Sequence, residues 1–209
     1  LTAASRAIAA MRLDSLASTR AIREPVLDNE EVRSAYDAIT YSKSLGVIHM
    51  VDQYFGPAVF RPALGRYLDY FHDASADSPQ FYQVIGEETD TPALAETFRS
   101  FVEQQGVPLL QARLVCDGEG ARLKLQQMRY RPLGSYIQPH ESLWSIPLCI
   151  RDPAGARSCT FLREERGEVP LGQCPAWVLP NAGGSGYYRW QLPEGQWRAL
   201  LSDFDSLEA

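Results

Sequence analysis

The chain has 209 residues, 45% of them hydrophobic and 22% charged, the composition of an ordinary globular protein with room for one large domain or two modest ones. Its formal net charge of −6 argues against nucleic acid as a partner, since the basic residues are scattered arginines joined by only Lys43 and Lys124, and phosphate binding needs a concentrated basic face. No apolar run reaches the roughly 20 residues a membrane span requires, and the stretch up to Met11 lacks the basic-then-apolar order of a signal peptide.

Up to about Gly106 the apolar residues recur at helical spacing. Ala3 to Ser18 predicts a helix on Ile8, Met11 and Leu16, and Pro25 interrupts it, because the residue before a proline is pushed out of the helical region. Val47, Met50, Val51 and Tyr54 make one stripe of a helix that ends near Gly56 and Pro57. Phe60, Leu64, Tyr67, Leu68 and Phe71 repeat the pattern. Asp77 ahead of Ser78 and Pro79 is a capping start, and a last helix from Pro92 to Gln105 carries Leu94, Phe98 and Phe101.

Beyond Pro108 the period changes to 2. Leu110, Ala112, Leu114 and Cys116 alternate with Gln111, Arg113 and Val115, a turn follows at Asp117 to Gly120, and Leu123 and Leu125 continue the alternation. Trp144, Ile146, Leu148 and Ile150 predict a third strand, in which Pro147 marks an edge or a bulge. Thr160 to Arg163, Ala176 to Leu179 and Tyr187 to Leu192 complete six or seven short strands. The expected fold is α+β in two domains: helical 1–108, a small antiparallel β-sandwich over 109–200, and 201–209 as a tail or the start of a further helical domain.

All four cysteines fall in the β half, and none has the C-x-x-C spacing of a zinc ribbon. Cys149 and Cys159 flank a predicted hairpin turn with Gly155 at the position needing positive φ, so they face each other and can be bridged. Four buried free thiols are the alternative. An even count in one small β region points toward an exported, periplasmic or secreted setting.

The three histidines, His49, His72 and His140, include no pair at i, i+4, and each alone reads as a surface or hydrogen-bonded histidine. No G-x-S-x-G is present, and Gly183-Gly184-Ser185-Gly186 leads into a strand, which makes it a turn and not a phosphate loop. Tyr41 is a packing tyrosine at a helix start on local chemistry alone. Its other reading is as a hydrogen-bond donor to a developing oxyanion, for which a phenol is suited because it keeps its proton at neutral pH.

The order of motifs supplies a context. Met11 to Ile22, the run Tyr36-Asp37-Ala38-Ile39-Thr40-Tyr41-Ser42-Lys43, the stretch Val47 to Leu68, and Phe101 to Pro108 fall in one sequence. Gln127 to Tyr130, Trp144 to Leu148, and Trp177 to Asn181 with Gly186 to Arg189 follow. Together these resemble successive landmarks of gluzincin zinc aminopeptidases of the aminopeptidase N-like type, the second being similar to F-D-x-I-x-Y-x-K-G and the fourth to W-x-x-Q-x-G-x-P. The resemblance implies that 1–108 is the C-terminal, helical part of a thermolysin-like catalytic domain.

It further implies a parent enzyme that removes N-terminal residues from peptides. In it Tyr41 would stabilise the tetrahedral intermediate formed by zinc-bound water, and Tyr36 would line the pocket for the substrate's first side chain. The H-E-x-x-H helix, the third ligand glutamate and the G-x-M-E-N strand would lie upstream of Leu1, so the chain is expected to bind no zinc, to be inactive alone, and to partner with missing N-terminal and C-terminal domains. Ser44 stands where the family has glycine, and Tyr36 and Phe101 replace a phenylalanine and a tryptophan. A non-catalytic relative acting as a scaffold or interaction module is the alternative.

Overall fold

The computed structural model describes residues 2–25, 36–136 and 142–204. His140 and the end of the expected tail, 205–209, lie outside them. Helices come first and strands after, in the order α1 (Ala3–Asp14), a π-helical turn (Ile39–Lys43), α2 (Ser44–Phe55), α3 (Pro57–Tyr70), α4 (Ser78–Glu88), α5 (Leu94–Val102), β1 (Pro108–Asp117), β2 (Gly120–Arg129), β3 (Ile146–Arg151), β4 (Arg157–Leu162), β5 (Arg166–Leu171), β6 (Arg189–Gln191) and α6 (Glu194–Leu201).

Local chemistry accounts for the helix boundaries. The Thr2 hydroxyl caps α1 by accepting from the Ser5 amide. Asp77 and Gln80 form a reciprocal capping box at α4, with Pro79 in the first turn. Gly56, at φ 78°, ends α2, and Pro57 opens α3 immediately after it. Helix α1 stops at Asp14, four residues short of the expected end. Its inward stripe is Ala7, Ala10, Met11 and Asp14, while Ile8 and Leu16 are exposed. Small residues face inward there because α1 packs almost in backbone contact with α2.

The strands form two sheets. One has the order β5-β2-β1-β6 and the other pairs β3 with β4. The expectation of a purely antiparallel arrangement is corrected at one edge, where β6 lies parallel to β1, with Leu110 opposite Trp190. A long connection leads the chain from β5 to that edge, so no hairpin constrains its direction. Ala176 to Leu179 does not form a strand. Only Leu179 bridges, exchanging both backbone hydrogen bonds with Arg151. Strand β3 starts at Ile146, and Trp144 before it is held by the buried Gln127 side chain, which accepts from its amide at 2.9 Å and donates to its carbonyl at 2.8 Å.

Cys149 and Cys159 are directly opposed across the β3–β4 hairpin and form a disulfide, with Gly155 at φ 79° in the turn. A second disulfide joins Cys116, near the end of β1, to Cys174 after β5. The alternative of four free thiols is therefore set aside. One cluster of buried apolar residues runs through both halves, from Met11, Val47 and Met50 through Phe98, Phe101 and Leu110 to Ile146, Trp177 and Tyr187. Among the described residues no helix is long and apolar enough to cross a membrane.

Candidate functional site

Tyr41 lies in the π-helical turn that runs without a break into α2. Such turns carry one more residue per closed ring than an α-helix and favour functional sites. Tyr36 and Tyr41 are 68% and 61% exposed, and their rings sit side by side, centroids 6.4 Å apart and tilted by 34°. They present two phenols on one surface, next to a turn that is anchored on both flanks.

The first anchor is Asp37. Its carboxylate accepts the Thr40 amide at 2.9 Å and is paired with the Arg20 guanidinium at 2.8 Å, and Arg20 also donates to the Thr40 hydroxyl. Partial burial raises the pKa of Asp37, but the Thr40 amide and the Arg20 charge outweigh it and hold the carboxyl below its ordinary range. The turn's entry is thereby tied to the loop after α1.

The second anchor is Lys43. Residues two apart on a helical turn do not share a face, so Lys43 points inward while Tyr41 points out. Its ammonium lies 3.0 Å from Asp14 Oδ2 and donates to the Gln104 carbonyl at 2.9 Å, with both charged side chains fully buried. Desolvation pushes the pKa of Lys43 down against the pull of Asp14. Asp14 is saturated as an acceptor: Oδ1 takes the Gly106 amide at 2.9 Å and the Thr19 hydroxyl at 3.1 Å, and Oδ2 also takes the Tyr187 hydroxyl at 3.2 Å. Burial and this carboxylate drive the Tyr187 pKa up, so its phenol stays a donor.

Ser44, which departs from glycine in the signature, is half-buried and lines a cleft of about 320 Å³ with Val47, Ile48 and Phe98. The glycine required for close packing is Gly46, where a Cβ would meet the Tyr187 ring at 2.6 Å and the Ala7 Cβ at 3.0 Å. Sequence reasoning passed over Asp14, Arg20, Gly46 and Tyr187. An acid among the apolar residues of α1, and one of only two lysines inside a signature, were the available signals.

His72 is on the surface, its ring bonded to the Asp69 carbonyl and the Asp73 carboxylate, and His49 is half-buried on α2. No group of three His, Cys, Asp or Glu able to hold a metal exists among the described residues, and every cysteine is in a disulfide. The described residues do not fit a zinc site.

The Peptidase family M1 domain matches residues 2–104. The chain is 28% identical over 201 residues to puromycin-sensitive aminopeptidase of Caenorhabditis elegans, covering 94% of this chain and 21% of that protein. It is 28% identical over 194 residues to probable M1 family aminopeptidase 1 of Encephalitozoon cuniculi, covering 93% and 21%. To tricorn protease-interacting factor F2 of Thermoplasma volcanium it is 26% identical over 196 residues, covering 94% and 23%. The chain thus spans about a fifth of the length of these relatives. The tyrosine-bearing signature lies in the stretch matched by the family M1 domain, and the likeness to aminopeptidases runs through the strands as well, so the chain resembles peptidase family M1 members over most of its length.

Proposed function

We propose that this chain is part of a zinc-dependent aminopeptidase that removes N-terminal residues from peptides, and that Tyr41 is its oxyanion-stabilising donor. The observation that carries the reading is an exposed phenol on a turn tied down from two sides. A positioned neutral donor stabilises the oxygen that gains charge in the tetrahedral intermediate more than it stabilises the ground-state carbonyl. Tyr36, beside it, lines the pocket for the first side chain of the substrate. The zinc ligands belong, on this reading, to parts of the parent beyond this chain, as does most of the substrate pocket.

Residues 1–108 then form the closing part of the catalytic domain and 109–200 a β-sandwich domain packed on it. The two disulfides support an oxidising compartment, outside the cell or in a periplasm. The isolated chain should hold no stoichiometric zinc and cleave no aminoacyl substrate; one tightly held zinc per chain by metal analysis would contradict this. In the full-length parent, Tyr41→Phe should lower kcat about 100- to 1,000-fold with little change in KM. An unchanged kcat removes Tyr41 from the mechanism. A parent that neither binds zinc nor cleaves peptides would instead be a scaffold.

A further inference from the structure

We propose that Lys43, locked to Asp14, is the positioning residue that sets the register of the Tyr41 turn and so the placement of the Tyr41 hydroxyl. This rests on the reading of Tyr41 as the oxyanion donor. Lys43 is two residues from Tyr41 in the same turn, and its stem carries a cation into the interior, where Asp14 and the Gln104 carbonyl receive it at 3.0 and 2.9 Å.

A π-helical turn is prone to slip into α-helical register, and each residue of slip turns a side chain by about 100° around the axis. Apolar packing alone would tolerate such a slip. A buried ammonium tolerates none, because only one position satisfies its charge and its donors. The receiving carboxylate is itself immobile. Its four hydrogen bonds come from the turn, from Thr19 after α1, from Gly106 before β1 and from Tyr187 before β6. Asp14 therefore gathers the segments on every side of the turn into one fixed point, and Lys43 transmits that point to Tyr41. The Arg20–Asp37–Thr40 cluster holds the turn's outer end but lies partly in solvent, so it yields more readily.

The test is a mutant cycle in the full-length parent, with Tyr41→Phe on one axis and the neutral pair Asp14→Asn/Lys43→Met on the other. Thermal midpoint and bound zinc are measured on each variant. On an otherwise native Tyr41, the neutral pair should lower kcat roughly 10- to 100-fold and leave KM nearly unchanged. On Tyr41→Phe it should lower kcat by no more than about twofold further, since the group it positions is gone. Equal losses in both backgrounds would show a general structural effect and overturn the proposal, leaving the Tyr41 reading intact. A Tyr41→Phe enzyme with native kcat would overturn the Tyr41 reading itself. Lys43→Arg keeps the charge but replaces the compact ammonium with a planar guanidinium that cannot occupy the same point, and it is taken through the same cycle, with the same expected and overturning outcomes, so that the question is decided even if the neutral pair fails to fold.

Discussion

Gly46 on α2 and the ring of Tyr187 approach so closely that a Cβ on the glycine would lie 2.6 Å from Tyr187 Cδ2, and 3.0 Å from the Ala7 Cβ. Tyr187 is fully buried, packs edge-on against Phe101 and donates to Asp14, so its ring has nowhere to retreat. Gly46→Ala gains about 1 kcal/mol of helix propensity. It should still destabilise the chain, because overpacking a fixed core costs about 1–3 kcal/mol. Chemical denaturation of the two proteins decides; a variant as stable as the native chain would mean that α1 and α2 move apart freely.

Removing one member of the buried pair should cost far more than removing both. Asp14→Ala leaves the Lys43 ammonium buried beside Arg129, whose charge already opposes it, and should destabilise by about 3–5 kcal/mol. Asp14→Leu/Lys43→Met, apolar at both positions, should recover most of that loss. Urea titrations of the three chains supply the comparison, and equal losses for single and double variants would show that charge compensation is not what holds this site.

Acid should loosen the entry of the Tyr41 turn before it unfolds the core. The Asp37 pKa in the folded chain lies below the ordinary 3.8, so its contribution is complete above that value and is lost as pH falls through the lowered folded pKa. The Thr40 amide, which Asp37 accepts, reports it directly. Its hydrogen-exchange protection should drop as pH falls below 3.8, and Asp37→Asn should remove that drop. A protection factor that declines equally in both proteins would assign the effect to other groups.

The two disulfides should contribute unequally. Cys116–Cys174 closes 58 residues of chain and Cys149–Cys159 closes 10. Loop entropy alone assigns about 4 and about 3 kcal/mol to them. Cys116→Ser/Cys174→Ser should therefore lower the melting midpoint more than Cys149→Ser/Cys159→Ser. The opposite ranking, by calorimetry, would mean that the β3–β4 hairpin depends on its bridge for more than chain entropy.

Most of the helices and strands were readable because their signals are local. Apolar period, the Asp77–Gln80 cap, Gly56 before Pro57, and Gly155 between two cysteines each act within a few residues. The misread segments depended on distant partners. The helical spacing of α1 is read on Ile8, Met11 and Leu16, yet only Met11 of these is buried, and Ala7 and Ala10 join it inside, since the neighbour across the interface is a glycine whose approach no local pattern encodes. Ala176 to Leu179 lacks a strand because only Leu179 finds a partner, Arg151.

The candidate site divides the same way. The sequence by itself determined that a tyrosine and a lysine stand two apart in a family signature, and that helices precede strands. Only the tertiary structure decided that the tyrosine faces outward beside Tyr36 while the lysine ends on Asp14, because satisfying a buried ammonium takes a carboxylate 29 positions earlier in the chain and a carbonyl 61 positions later. Electrostatic satisfaction in an interior is a property of where the chain returns in space, and no periodicity along it carries that information.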